Sequence, residues 1–144
     1  MLVNNIETSY SYVLLHQSLQ GDKITKSLKC TISEYDLHYS NDMDITVFEE
    51  NNTQLAALGY MLDIRNGDST HTEILKSLSV SDDIERELDY INGRYVLIVN
   101  KEGSVTVYTD ASALLPINYA QSEKVIASHD ILIKEVLKQN NIEV

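Results

Sequence analysis

The chain has 144 residues, 43% of them hydrophobic, with one proline, five glycines and a single cysteine: one ordinary domain, long enough to bury its own core. Twenty-two acidic against eleven basic residues give a formal net charge of -11, which repels phosphate backbones and anionic bilayers and excludes sequence-independent nucleic-acid or membrane-surface binding. Cys30 has no partner for an intramolecular disulfide, and with no charged-then-apolar leader at the start the expected compartment is the cytoplasm.

No linker, low-complexity tract or internal repeat divides residues 1–144, so a single domain is expected. The apolar runs are far too short to span a bilayer. Met1 to Ser9 read as a polar arm, Tyr10 to His16 as a strand, and Gln20-Gly21-Asp22 as a turn. The weak apolar pattern of Ile24 to Ile32 fits more than one state. Tyr35 to Tyr39 alternates apolar and polar residues, and Ile45 to Phe48 is a further strand ended by a turn at Glu49-Glu50-Asn51-Asn52. Leu55 to Leu62 returns as its partner.

After Asp63 the period changes. Arg65 to Ser69 is a loop, and Ser69 or Thr70 caps a short helix with Ile74, Leu75 and Leu78 on one face and Glu73 in the first turn. Ser81 is expected to cap a second helix, with Ile84, Leu88 and Ile91 at i, i+4 and i+7 and Asn92-Gly93 as its stop.

Leu88 to Ala127 is the most legible stretch. Arg94 to Asn100 is a β-branched and aromatic run expected to be buried on both faces. Gly103 supplies the positive φ of a tight hairpin loop before the alternating strand Val105 to Thr109, which Asp110 closes. Strands around Ile117 to Ala120 and Val125 to Ser128 follow, the whole forming one expected antiparallel meander. A last helix, about Asp130 to Gln139, buries Ile131, Leu132, Val136 and Leu137 in some combination. Strands, two helices, strands and a helix give an α+β class.

The segments Thr72-Glu73-Ile74-Leu75, Asn92-Gly93-Arg94-Tyr95-Val96-Leu97-Ile98-Val99, Thr109-Asp110, Leu115-Pro116-Ile117-Asn118-Tyr119 and Ile126-Ala127-Ser128 occur in an order and at spacings that resemble the glutaminase domain of class II glutamine amidotransferases. More narrowly, the chain is similar to the N-terminal domain of asparagine synthetase-like proteins from about Leu55 to Leu137. The resemblance implies stacked antiparallel β-sheets flanked by helices, the N-terminal-nucleophile hydrolase architecture. It also implies a chemistry: an N-terminal cysteine thiolate, an Asn-Gly pair whose amide and backbone N–H stabilise an oxyanion, and an Arg and an Asp that hold glutamine.

This sequence departs from that pattern at each of those points. Leu2 follows Met1 where the nucleophile belongs. Leu58-Gly59 stands where the Asn-Gly pair belongs, keeping the glycine alone. In Thr70-His71-Thr72-Glu73, His71 replaces the ammonium-binding aspartate, and the first arginine is Arg65, too late to grip the carboxylate. The closing strands of the family are also absent, so the domain is shortened or the chain is a piece of a longer protein. Leu58, Gly59, His71 and Glu73 would then line a vestigial pocket.

Other residues carry chemistry only on paper. Cys30 would become an N-terminal nucleophile only if the preceding residues were removed. Ser128-His129-Asp130 has the residue types of a hydrolase triad, but sequence neighbours diverge, and helix capping by Ser128 or Asp130 is the simpler role. His16, His38, His71 and His129 share no ligand spacing, so no metal and no cofactor are expected. Glu49-Glu50 and Asp82-Asp83 read as a solvated turn and a helix first turn, and the nine tyrosines as sheet packing.

The expectation is therefore a non-catalytic, glutaminase-like accessory or scaffolding domain. Its expected partner is an asparagine synthetase-like, ATP-dependent amide-forming enzyme of bacterial peptide or polysaccharide maturation, or a peptide. Two alternatives stand beside it: a small amidohydrolase or glutamine amidotransferase using Cys30 after processing, and a self-associating structural module.

Overall fold

Of the run Arg94 to Asn100, Arg94 is exposed, while the apolar residues Tyr95 to Val99 and the polar Asn100 are buried at every position, because they lie in an interior strand of an antiparallel sheet whose two faces are both covered. The computed structural model describes residues 11–19, 28–110, 118–120 and 124–140. Among these the strands are β1 (Tyr12–His16), β2 (Leu28–Ile32), β3 (Tyr35–Tyr39), β4 (Ile45–Glu50), β5 (Thr53–Asp63), β6 (Ile91–Lys101), β7 (Ser104–Thr109), β8 (Asn118–Ala120) and β9 (Val125–Ala127). The helices are α1 (His71–Ser79), α2 (Ile84–Leu88) and α3 (Asp130–Gln139). The class is α+β with two antiparallel sheets, and the chain divides into two compact units, Met1–Met43 with Pro116–Val144, and Asp44–Leu115.

The second unit holds the sheet β4-β5-β6-β7. β5 and β6 pair along their whole length, from Thr53↔Lys101 to Asp63↔Ile91. Two-residue loops build the flanking hairpins. Asn51 and Asn52 have φ of 50° and 62°, and Glu102 and Gly103 have φ of 51° and 89°, the paired positive values that match a loop to the twist of its strands. The loops also bond to each other, since Glu102 N–H donates to the Asn52 carbonyl at 3.1 Å.

Helix α1 is fixed by a capping box: Glu73 N–H donates to Thr70 Oγ1 at 3.1 Å and Thr70 N–H to Glu73 Oε1 at 2.9 Å. Its buried face, Ile74, Leu75 and Leu78, packs on Leu55, Ala57, Met61, Tyr95, Leu97 and Val99. Burial of this kind stabilises by about 1.5–3 kcal/mol per large side chain. The alternate residues Ala56, Leu58, Val96 and Ile98 are buried as well.

The first unit holds the sheet β2-β3-β1-β9-β8. Val13 and Leu15 of β1 and Val125 and Ala127 of β9 pack against Leu132, Ile133, Val136 and Leu137 of α3. Ser128 ties β1 to the start of α3, its Oγ accepting from Tyr12 N–H at 2.9 Å.

Several expectations are corrected. Leu88 to Ala127 is not one meander: β6 and β7 belong to one sheet, β8 and β9 to the other. Glu49 and Glu50 end β4, and only Asn51 and Asn52 turn. Asp83, not Ser81, caps α2, accepting from Arg86 N–H at 3.2 Å. α2 ends at Leu88, while Ile91 and Asn92-Gly93 lie in β6. His129 is the N-cap of α3 and makes no side-chain capping bond; Ser128 is spent on β1 instead. Tyr10, Gln20 to Ser27, Pro116, Ile117 and Gln121 to Glu123 lie outside the described residues.

Gly93 shows why Asn92-Gly93 is not a stop. With φ of 131°, a Cβ there would fall inside the contact radius of the Tyr60 carbonyl oxygen and 3.0 Å from its carbon. Gly93→Ala therefore strains the β5–β6 pair, and urea titration should show a loss of about 3 kcal/mol or more. Two buried groups contribute to the pH dependence. Burial, and secondarily Lys29, holds the His38 pKa below 6.5 against the opposing pull of Asp36. The native state therefore disfavours the imidazolium, so stability is complete above about pH 6.5 and declines as pH falls below it. His38→Gln should flatten that decline in urea midpoints. Burial, aided by Asp110, pushes the Tyr95 hydroxyl from 10.0 up to about 12, so stability is lost again as pH rises through this interval.

Candidate functional site

Of the residues singled out by the resemblance, Leu58 and Gly59 lie in β5, and His71 and Glu73 in the first turn of α1. β4 begins at Ile45, opposite Leu58, and its last contact with the ladder is the Asp44 carbonyl, which accepts from Gly59 N–H at 2.8 Å. Alternation in an antiparallel ladder turns the next N–H of that edge, Met61, toward a position that β4 does not reach. His71, the first residue of α1, supplies the acceptor: its Nε2 lies 3.3 Å from Met61 N, and its Nδ1 lies 3.5 Å from Thr46 Oγ1. The Tyr60 ring meets the imidazole edge-on, centroids 5.5 Å apart.

Gly59, Met61 and His71 thus come together through two backbone amides and one ring. Leu58 is fully buried, on the strand face opposite Ala57 and Met61. Glu73 is exposed and committed to the capping box, whose bonds from Thr70 hold its carboxyl below the usual carboxylate range.

Two further constellations were not foreseen. At the end of β5, Arg65 donates to Asp63 from Nε at 3.0 Å and from Nη2 at 3.1 Å, and to Glu87 from Nη1 at 3.2 Å. Its guanidinium also lies 4.5 Å above the Tyr90 ring centroid. These bonds hold the Asp63 carboxyl below its ordinary pKa and raise that of Arg65. Arg65, Glu87 and Tyr90 line an open surface cavity of about 450 Å³ with Ser81, Asp82, Asp83 and Arg86. The close Asp63-x-Arg65 spacing was the available signal; the partners from 87 and 90 had none. At the end of β7, the buried Asp110 carboxylate accepts from Tyr95 N–H at 3.0 Å while Asp110 N–H donates to the Tyr95 carbonyl at 3.3 Å. A side chain here replaces the ladder's own carbonyl.

Cys30 sits in the middle of β2, half-buried, opposite Leu37. Ser128 Oγ and His129 Nδ1 lie 2.7 Å apart, but that oxygen is buried and bonded to the Tyr12 backbone. His16 faces Ser18, Glu34 and the Tyr35 ring. Among the described residues no three His, Cys, Asp or Glu side chains are grouped to hold a metal ion, and no helix is long and apolar enough to cross a membrane. No family model matches the chain, and no curated protein matches it.

Removing these end groups should have unequal costs. Asp110→Ala leaves Tyr95 N–H unsatisfied in a buried site and should cost about 2–3 kcal/mol in urea titration, with Asp110→Asn recovering most of it. His71→Ala opens a half-buried site that water reaches, so about 1 kcal/mol is expected. The acceptor role of Nε2 fixes the Nδ1–H tautomer of His71, which ring nitrogen shifts by NMR will report.

Proposed function

We propose that the chain is a non-catalytic, glutaminase-like accessory domain of an N-terminal-nucleophile hydrolase-like fold. It binds a protein or peptide partner of an asparagine synthetase-like, ATP-dependent amide-forming system in bacterial peptide or polysaccharide maturation. The observation that carries this reading is at Gly59. In the resembled family the backbone N–H of this glycine helps to bind the oxyanion, whereas here it donates to the Asp44 carbonyl in the β4–β5 ladder. The neighbouring position, where an asparagine amide would complete the hole, is the fully buried Leu58. His71, standing for the ammonium-binding aspartate, is turned to Met61 N–H and Thr46.

A role in holding a partner fits the rest. The net charge of -11 turns away anionic polymers and suits a basic partner surface. The alternative, an amidohydrolase led by Cys30, carries a structural cost: cleavage before Cys30 removes Leu28 and Lys29, which pair with Tyr39 and His38, and leaves a three-residue remnant of β2. No cofactor is part of the proposal.

Affinity capture from the native host with this chain as bait tests the proposal. Recovery of an amide-forming, ATP-dependent enzyme is expected; recovery of the chain alone contradicts the accessory role and supports a self-associating module. Intact mass and glutamine hydrolysis, with Cys30→Ala as control, address the enzymatic alternative. A processed chain beginning at Cys30, with hydrolysis lost in the variant, would overturn the non-catalytic assignment.

A further inference from the structure

The outer edge of β7 is built to be paired. Asp110 and Tyr95 exchange both bonds through the aspartate side chain, and the Glu102-Gly103 loop closes on Lys101 and Ser104. Alternation along the ladder then directs the N–H and C=O of Ser104, Thr106 and Tyr108 at β6, and those of Val105, Val107 and Thr109 at the opposite edge. Among the described residues no strand pairs with that edge and no backbone bond is made there. Natural edges carry lysine, proline, a bulge or an inward charge to prevent pairing. β7, Ser104-Val105-Thr106-Val107-Tyr108-Thr109, has none of these. The opposite edge strand of this sheet, β4, ends instead in the exposed pair Glu49-Glu50.

Charge selects the occupant. Tyr108 is half-buried against the core under α1, and the carboxylates of Glu85 and Asp83 lie close enough to its hydroxyl to raise the pKa that burial has already raised. Two copies meeting edge to edge would set Val107 against its equivalent and bring both sets of these acids onto one ladder. With -11 on each chain, that approach is opposed. An incoming strand with cations opposite Thr106 and Tyr108 meets the acids favourably.

We propose that the outer edge of β7, which no described strand pairs, receives an extended, Lys- or Arg-bearing peptide segment as a fifth strand, its backbone bonded to Val105, Val107 and Thr109 and its basic side chains on the side of Asp83 and Glu85. This names an occupant for the partner-binding role above and rests on that role only for the partner's identity. A peptide titration tests the edge by itself, whereas affinity capture tests the partner.

The probe is fluorescein-labelled acetyl-Thr-Val-Lys-Val-Lys-Val-Thr-amide, followed by fluorescence anisotropy with the full chain at low salt. Saturable binding is expected, with the peptide carrying Glu for Lys about ten-fold weaker or worse. Val107→Pro removes an outward N–H without touching the β6 ladder and should abolish binding while the amide NMR spectrum of β5 and β6 persists. Glu85→Gln should weaken the Lys peptide about three-fold and reduce its salt dependence. N-methylation of alternate peptide amides should abolish binding without any change to the protein. Absence of binding, equal binding of the Lys and Glu peptides, or indifference to both Val107→Pro and N-methylation overturns the proposal. So does a dimer in sedimentation that Val107→Pro dissociates, since a second copy would then own the edge.

Discussion

The long antiparallel pair β5–β6 is the constraint on which the second unit depends. It extends from Thr53↔Lys101 at one end to Asp63↔Ile91 at the other, and each end is closed by a different device. At the loop end Asn100 Nδ2 donates to Gln54 Oε1 at 2.8 Å while Asn100 Oδ1 accepts from Gly103 N–H at 2.9 Å. At the far end the strands approach closely enough that only glycine fits at position 93. Beyond it, Arg65 gathers Asp63, Glu87 and Tyr90 where the chain leaves β5 and returns to β6. α1 covers one face, and its capping box sets the position from which His71 reaches β5.

The same geometry engages the Gly59 and Met61 amides of β5 within the fold. An oxyanion hole needs donors that are aimed at a vacancy and satisfied only by the reacting oxygen. Here the Gly59 amide completes a ladder, the Met61 amide is met by His71, and the side chain before Gly59 is apolar and buried. A site of this kind holds sheet and helix together. Among the described residues no strand pairs with the outer edge of β7, where the N–H and C=O of Val105, Val107 and Thr109 face outward.

Local elements were legible in the sequence where one physical signal dominated. The run Tyr95 to Val99 is apolar throughout because both faces are buried, Thr70 and Glu73 form the capping box that their spacing allows, and α3 has the bounds its apolar pattern indicates. The partition of the strands between two sheets was not legible, because alternation specifies a face and not a neighbour. Asn92-Gly93 misled for a related reason: the pair is a turn signal locally, but Gly93 answers a contact with Tyr60 that lies far away in the chain. The surroundings of His71 depend on where β4 begins, and the bond between Asp110 and Tyr95 on where β7 ends. Neither boundary is written in the residues that make the contact.

Amide hydrogen exchange on the chain, alone and with the captured partner bound, tests the central claim that the chain binds through the β7 edge. The account predicts that Val105, Val107 and Thr109 exchange fast in the isolated chain and slow on binding, while Thr106 and Tyr108, already bonded to β6, change little. Protection of all five residues in the isolated chain, or a partner that leaves Val105, Val107 and Thr109 fast, would contradict it.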